Sequence, residues 1–309
     1  MRIQDIIFIG TFIFASFTGL FFPSFIAYLP ITPSLCLMTI LYLSFLNTSP
    51  NRLIVNFRIT QKSFYKLIAL KLFVLPIIVT AVFHIFLPQY ALSALLLSGI
   101  SAGVVTPIMA TMFRADFSLS TIGLVGSCLL APITLPLLVK IYACITASDL
   151  TLNISTLSMI LFLSTMIVVP FILAQVTRLW IPRLHYVLKS YGFYLGLIFA
   201  FLVSYMIFAN ISEFLLANLS LILSSFFISL LIAITLLLLT LMMTYGEFRD
   251  QRLAIIIACC GINNMLAVIF CTDFFTPLET ITTATYIIPF NMLVPVYRFL
   301  GWKLKHKNT

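Results

Sequence analysis

The chain has 309 residues, of which 62% are hydrophobic and 8% charged, with a net charge of +9 at pH 7. A soluble domain carries about a quarter of its residues as charges, so this composition excludes one and reads as a polytopic helical membrane protein. The basic excess follows membrane topology, as the loops show, and calls for neither nucleic acid nor an acidic partner.

A helical span needs about 20 apolar residues. In chain order, ten stretches qualify: 6–23, 31–47, 67–87, 91–113, 119–142, 156–176, 193–208, 219–245, 253–270 and 280–300. The first lacks the small-residue cleavage site of a signal peptide and is read as a span. If the N-terminus and every loop after an even-numbered span are cytoplasmic, 15 of the 17 basic residues fall inside, all but Lys71 and Lys140. The positive-inside rule then places both termini in the cytoplasm of a multi-pass protein of the cell membrane. The six cysteines lie in or beside apolar segments without metal-ligand spacing and read as small packing residues, so no cofactor or metal is expected.

The fourth and ninth stretches are interrupted. Gly103-Val104-Val105-Thr106-Pro107 breaks one, and Gly261-Ile262-Asn263-Asn264 breaks the other. A helix broken inside a bilayer strands peptide groups at several kcal/mol each, and such breaks persist only around an enclosed site. Ten spans divide into two sets of five, residues 1–146 and 147–309, joined by a short polar stretch at 146–156. An odd number per set inverts the second relative to the first, which makes spans four and nine equivalent. Paired interruptions at equivalent places point to the binding site of a secondary transporter. The expected fold is therefore all-α: ten transmembrane helices in two inverted five-helix repeats, with helices 4 and 9 broken.

An enzyme is not expected. The three histidines, His84, His185 and His306, sit in no nucleophile or metal motif, and all eight acids fall at or beyond segment ends. Without an acid in a span there is nothing to neutralise a bound cation. The ionisable residue inside a span is instead a base, Lys71. A lysine at the bilayer centre costs ~3 kcal/mol on insertion scales and is a functional candidate for that reason. The alternative is that Lys71, five residues past Lys66, snorkels to the interface. Asn263 and Asn264 likewise read as substrate ligands or as polar glue between helices. Thr106 and Pro107 complete the candidate binding set, Pro107 chiefly as a helix breaker. Pro132, Pro136, Pro289 and Pro295 are read as kinks in spans five and ten.

Three runs carry a resemblance. Gly103-Val104-Val105-Thr106-Pro107-Ile108-Met109, then Arg114-Ala115-Asp116-Phe117-Ser118-Leu119-Ser120 and Ala131-Pro132-Ile133-Thr134-Leu135-Pro136, track two successive helices of the bile acid:sodium symporter family. Gly261-Ile262-Asn263-Asn264-Met265-Leu266-Ala267 is similar to that family's ninth helix. The chain therefore resembles that family over nearly its whole length. The resemblance implies a core of spans 3–5 and 8–10, in which the broken helices cross. It also implies a panel of spans 1, 2, 6 and 7, and alternating-access transport of small organic anions such as bile acids, pantoate or keto acids. Asn291, in span ten, matches a substrate contact.

The departures lie at the family's sodium sites. A Ser-Asn pair at the first crossing falls on Thr106 and Pro107; a serine ligand matches Ser120, but a later threonine has become Leu124. The glutamate shared by both sites falls on Cys259, and a helix-three glutamine falls on Lys71. An acid is lost and a base gained. The ion-coupling residues are thus expected to be Lys71, Ser120 and Cys259, with Lys71 in place of sodium. Sodium is then not a partner, whereas a proton is one if Lys71 releases it with substrate; a permanently charged Lys71 gives uniport or exchange. An arsenite- or auxin-type efflux carrier of the wider superfamily, or a channel, is the alternative reading. Substrate and oligomeric state are not legible.

Overall fold

The computed structural model describes residues 3–28, 30–46, 48–146, 155–210, 212 and 218–303. Arg2, Asp149, Glu213, Lys305, His306, Lys307 and nearly all of the 146–156 junction lie outside the described residues. Within them, regular structure is helical throughout apart from one isolated backbone bridge. The helices are α1 (Ile3–Phe21), α2 (Pro33–Leu46), α3 (Pro50–Ala69), α4 (Leu75–Phe86), α5 (Ala91–Gly99), α6 (Thr106–Phe113), α7 (Phe117–Thr146), α8 (Thr156–Trp180), α9 (Pro182–Asn210), α10 (Leu219–Met243), α11 (Arg249–Cys260), α12 (Asn264–Phe274), α13 (Pro277–Thr285) and α14 (Ile287–Lys303). Prolines open α2, α3, α9 and α13, where the missing N–H is not needed and φ is already helical.

All ten apolar stretches are helical, but not as ten uniform rods. Among the described residues, four helices are long and apolar enough to cross a membrane: Leu53–Phe86, Phe117–Thr146, Thr156–Trp180 and Ser220–Met243. A fifth candidate, 182–192 with 194–210, is bent by 66°. The fourth, ninth and tenth stretches are each divided between two helices. The division of the tenth was not expected, since its prolines promised only kinks. The gap at Tyr286 lies three residues before Pro289, whose missing N–H leaves the end of α13 without a continuing partner. In contrast, Pro132 and Pro136 lie within an uninterrupted α7.

The described chain falls into two compact units, each drawing on both ends of the sequence. The first comprises residues 1–49 and 164–223. There α9 packs along α1 and α2, Tyr205 Oη donates to Phe22 O (2.8 Å), and Tyr42 Oη donates to Thr177 Oγ1 (2.9 Å). The second comprises residues 50–163 and 224–309, and it contains both broken stretches. In it α3 and α4 are joined without a gap by a π-helical turn, Leu70–Val74. That continuous rod packs on α7 and α5 and buries Leu67, Leu72, Leu75, Val79 and Phe83.

One end of the second unit is closed by polar contacts. Lys66 pairs with Glu247 at 2.7 Å, Ser63 Oγ donates to Gln251 Oε1 at 2.7 Å, and Asp116 N donates to Asp250 O at 3.0 Å. Elsewhere in the unit Thr276 and Glu279 form a capping box at the start of α13: Glu279 Oε2 accepts from Thr276 N (3.1 Å) and from the Thr276 hydroxyl. Glu279 is nearly inaccessible, so its carboxylate depends on those donors. Glu279→Ala is expected to destabilise the protein by about 1–3 kcal/mol, read as a lower thermal midpoint in detergent, with Glu279→Gln retaining most of the stability.

Candidate functional site

The two interruptions meet. Residues 100–105 separate α5 from α6, and residues 261–263 separate α11 from α12. Ala102 and Ile262 form an antiparallel bridge, in which Gly103 N donates to Gly261 O (2.7 Å) and Asn263 N donates to Ser101 O (3.0 Å). Each broken segment thus supplies partners for the other's stranded peptide groups, as a low-dielectric interior requires. Side chains take up others: Ser127 Oγ accepts from Ala102 N (3.0 Å), and Tyr286 Oη donates to Cys260 O (3.0 Å).

Glycine is needed at both crossing points. A Cβ on Gly103 would lie 2.7 Å from Ile262 O, and one on Gly261 would lie 2.5 Å from Ile257 O. Both obstacles are backbone atoms, which cannot rotate away.

Lys71 lies beside this crossing. It occupies the second position of the π-helical turn, is wholly inaccessible to solvent, and its Nζ donates to Ser98 O and Cys259 O, each at 3.2 Å. Ser98 is in the last turn of α5 and Cys259 in the last turn of α11. Helix C-termini carry about half a negative charge each, from carbonyls with no continuing partner. The ammonium therefore joins the C-terminal ends of the first halves of both broken stretches. A π turn inserts one extra residue into a helix and re-aims the side chains around it, a deformation found often at functional sites. The Lys71 ammonium is held by interior carbonyls and does not snorkel to the interface. No carboxylate pairs with it among the described residues.

The remaining candidates differ in how far they join the crossing. Asn263 caps α12, its Oδ1 accepting from Leu266 N (3.4 Å), and its Nδ2 is buried without a protein partner among the described residues. Asn264 Oδ1 is similarly buried and unpartnered. One free donor and one free acceptor thus remain at the head of α12. Thr106 is buried with its hydroxyl turned back to Gly103 O (2.6 Å), and Pro107 follows in the first turn of α6. Cys259 reaches Lys71 through its backbone carbonyl, a contact open to any residue type. Ser120, in α7, has a buried hydroxyl with no partner among the described residues. Asn291 Nδ2 is engaged within its own helix by Ile287 O (2.8 Å), and no hydrogen bond ties it to the crossing. Ser98, Ser127 and Tyr286 were not anticipated. Ser98 acts through a main-chain carbonyl, which carries no sequence signal, and the other two read as ordinary helix-packing residues.

The model of the Sodium Bile acid symporter family matches residues 34–218. The chain belongs to this family. The match takes in Lys71, the first interruption and Ser120, and it stops before the second interruption. No curated protein matches the chain. Membership in the sodium bile acid symporter family, together with the long apolar helices, makes this a multi-pass membrane protein of a transporter family and accords with the lack of enzyme motifs.

The close backbone contact at Gly103 is the crossing's most sensitive point. Gly103→Ala is expected to abolish the folded, monodisperse protein or to lower its thermal midpoint severely. Gly192→Ala, where nothing lies within 4 Å of the added carbon, is expected to leave the midpoint unchanged or slightly raised. Size-exclusion profiles and thermal unfolding of the two variants in detergent check this.

Proposed function

We propose that this member of the sodium bile acid symporter family is a secondary carrier of small organic anions that works without sodium, the Lys71 ammonium supplying the positive charge that a coupling cation supplies elsewhere. The observation that carries the reading is the pair of 3.2 Å bonds from Lys71 Nζ to Ser98 O and Cys259 O. Carbonyls at converging helix ends suit a desolvated cation. Here a tethered one occupies them, and at the position where the resemblance implies a sodium-site acid the chain has Cys259.

Substrate binds, on this reading, on the other side of the crossing. The N-termini of α6 and α12 carry the opposite dipole, favourable to a carboxylate. The unpartnered Asn263 Nδ2 adds a donor there, and Asn264 Oδ1 offers an acceptor to a substrate hydroxyl. Thr106, Pro107 and Asn291 complete the proposed substrate set, and Ser120 and Cys259 the proposed ion-coupling set. Ten spans in two inverted repeats, 1–146 and 147–309, account for the antiparallel meeting of the two interruptions. The grouping of 1–49 with 164–223 and of 50–163 with 224–309 supports alternating access by two bodies. Both termini are assigned to the cytoplasmic side of the cell membrane from the distribution of basic residues.

Uptake of labelled short-chain carboxylates into sodium-free proteoliposomes tests the reading. Uptake should proceed at the same rate when sodium is added, and a strict sodium requirement would refute it. An inward proton gradient that accelerates uptake identifies proton symport, whereas accelerated exchange against internal substrate alone identifies a uniporter or exchanger. Lys71→Gln should lose sodium-free uptake, and Lys71→Gln combined with Cys259→Glu should take up substrate only when sodium is present. Asn264→Ala should weaken substrate binding by about 1–3 kcal/mol, the cost of losing one partner of a buried hydrogen bond.

A further inference from the structure

The helix containing Lys71 is longer than a membrane requires. The rod from residue 53 to residue 86 has 34 residues, about 51 Å at helical rise against a hydrocarbon thickness of about 30 Å. It is not straight. Thr60 has non-helical backbone angles (φ −114°, ψ 24°), and its hydroxyl donates to Asn56 O at 2.8 Å, a side-chain back-bond of the kind that bends helices. Residues 61–86 alone, at about 39 Å, already exceed the hydrocarbon core. The segment before the bend therefore belongs to the membrane surface.

The accessible side chains around the bend form one stripe: Ile54, Val55, Arg58, Ile59, Gln61, Lys62 and Tyr65. Ile59 is 74% exposed, and Ile54, Val55 and Tyr65 are each more than half exposed. Arg58 and Lys62 are four residues apart in sequence and flank the bend at Thr60, within this mostly apolar surround. Neither forms an ion pair among the described residues. The basic residues packed nearby are engaged: Lys66 with Glu247, Arg249 with Gly301 O (2.7 Å), and Arg252 with Leu241 O (2.9 Å) and the Tyr245 ring. Topology alone asks for positive charge on one side of the membrane. It does not ask for two cations without acidic partners, one on each side of a bend, on the same stripe as four exposed apolar side chains.

We propose that this stripe is a docking surface for one anionic glycerophospholipid, whose phosphate is held between Arg58 and Lys62 while its acyl chains lie along Ile59 and Tyr65. A guanidinium and an ammonium on the two sides of one bend offer charged donors to a phosphate diester, and basic residues near a membrane surface each add to anionic lipid affinity. The apolar side chains on the same stripe favour a ligand that brings its own hydrocarbon, which a free phosphate ion does not.

The full-length protein in neutral detergent, titrated with phosphatidylglycerol, should show a saturable rise in thermal midpoint and, by native mass spectrometry, one retained lipid. Equal concentrations of phosphatidylcholine or inorganic phosphate should give neither. Arg58→Gln and Lys62→Gln should each weaken phosphatidylglycerol retention about fivefold, and the double variant should lose it while keeping the lipid-free midpoint, since both side chains are exposed. Lys62→Arg should retain binding. An equal rise with phosphatidylcholine, an equal rise with inorganic phosphate, or full retention in the double variant would each overturn the proposal.

Discussion

Unpaired backbone in a low-dielectric interior is the constraint on which the rest of this structure depends. Interrupting two helices within the membrane leaves peptide donors and acceptors that no water reaches, at several kcal/mol each if nothing answers them. The chain brings the two interruptions together as an antiparallel bridge, so that Gly103 N finds Gly261 O and Asn263 N finds Ser101 O. Much of what surrounds them follows. The approach is so close that residue 103 carries no side chain, while Gly261 is kept bare by the Ile257 carbonyl of its own helix, and Ser127 and Tyr286 are placed to bond Ala102 N and Cys260 O.

Lys71 completes that accounting in charge as well as in hydrogen bonds. A lysine in the middle of a bilayer costs ~3 kcal/mol on insertion scales, and hydrogen bonds to a charged group contribute about 1.5–3 kcal/mol each. Two such bonds, to carbonyls at the negative ends of α5 and α11, are enough to offset the cost. A covalently attached cation also differs from a dissolved one: it cannot diffuse away from the two helix ends. The π turn is the local deformation at which α3 and α4 present the side chain to them.

The membrane rod that supplies Lys71 also reaches the interface, where its sequence changes character. Below the bend at Thr60 its buried face is aliphatic, from Leu67 to Phe83. Around the bend, basic and apolar side chains share one exposed stripe. The same bent rod thus carries an exposed basic residue on each side of the bend and, further along, a lysine with no accessible surface.

Membrane class, the apolar stretches and the two interruptions were legible in the sequence, because each rests on local chemistry: long apolar runs partition into lipid, and glycine and proline weaken helices wherever they stand. The importance of Lys71 was legible as a conflict, a base where the surroundings are apolar, but its role was not. Distance from Lys66 along the helix allowed snorkelling, and only the packing of α5 and α11 against the π turn decided that the ammonium points to Ser98 O and Cys259 O. The division of the tenth stretch at Tyr286 depended similarly on neighbours, since Pro132 and Pro136 carry the same local signal and leave α7 unbroken. Asn291 shows the reverse: its residue type suited a site, and the fold engages its amide within its own helix. The sequence by itself determined where the chain must enter lipid and where its helices must fail. Only the tertiary structure decided which stranded groups answer one another, because main-chain partners more than 150 residues apart leave no trace in the side chains that flank them.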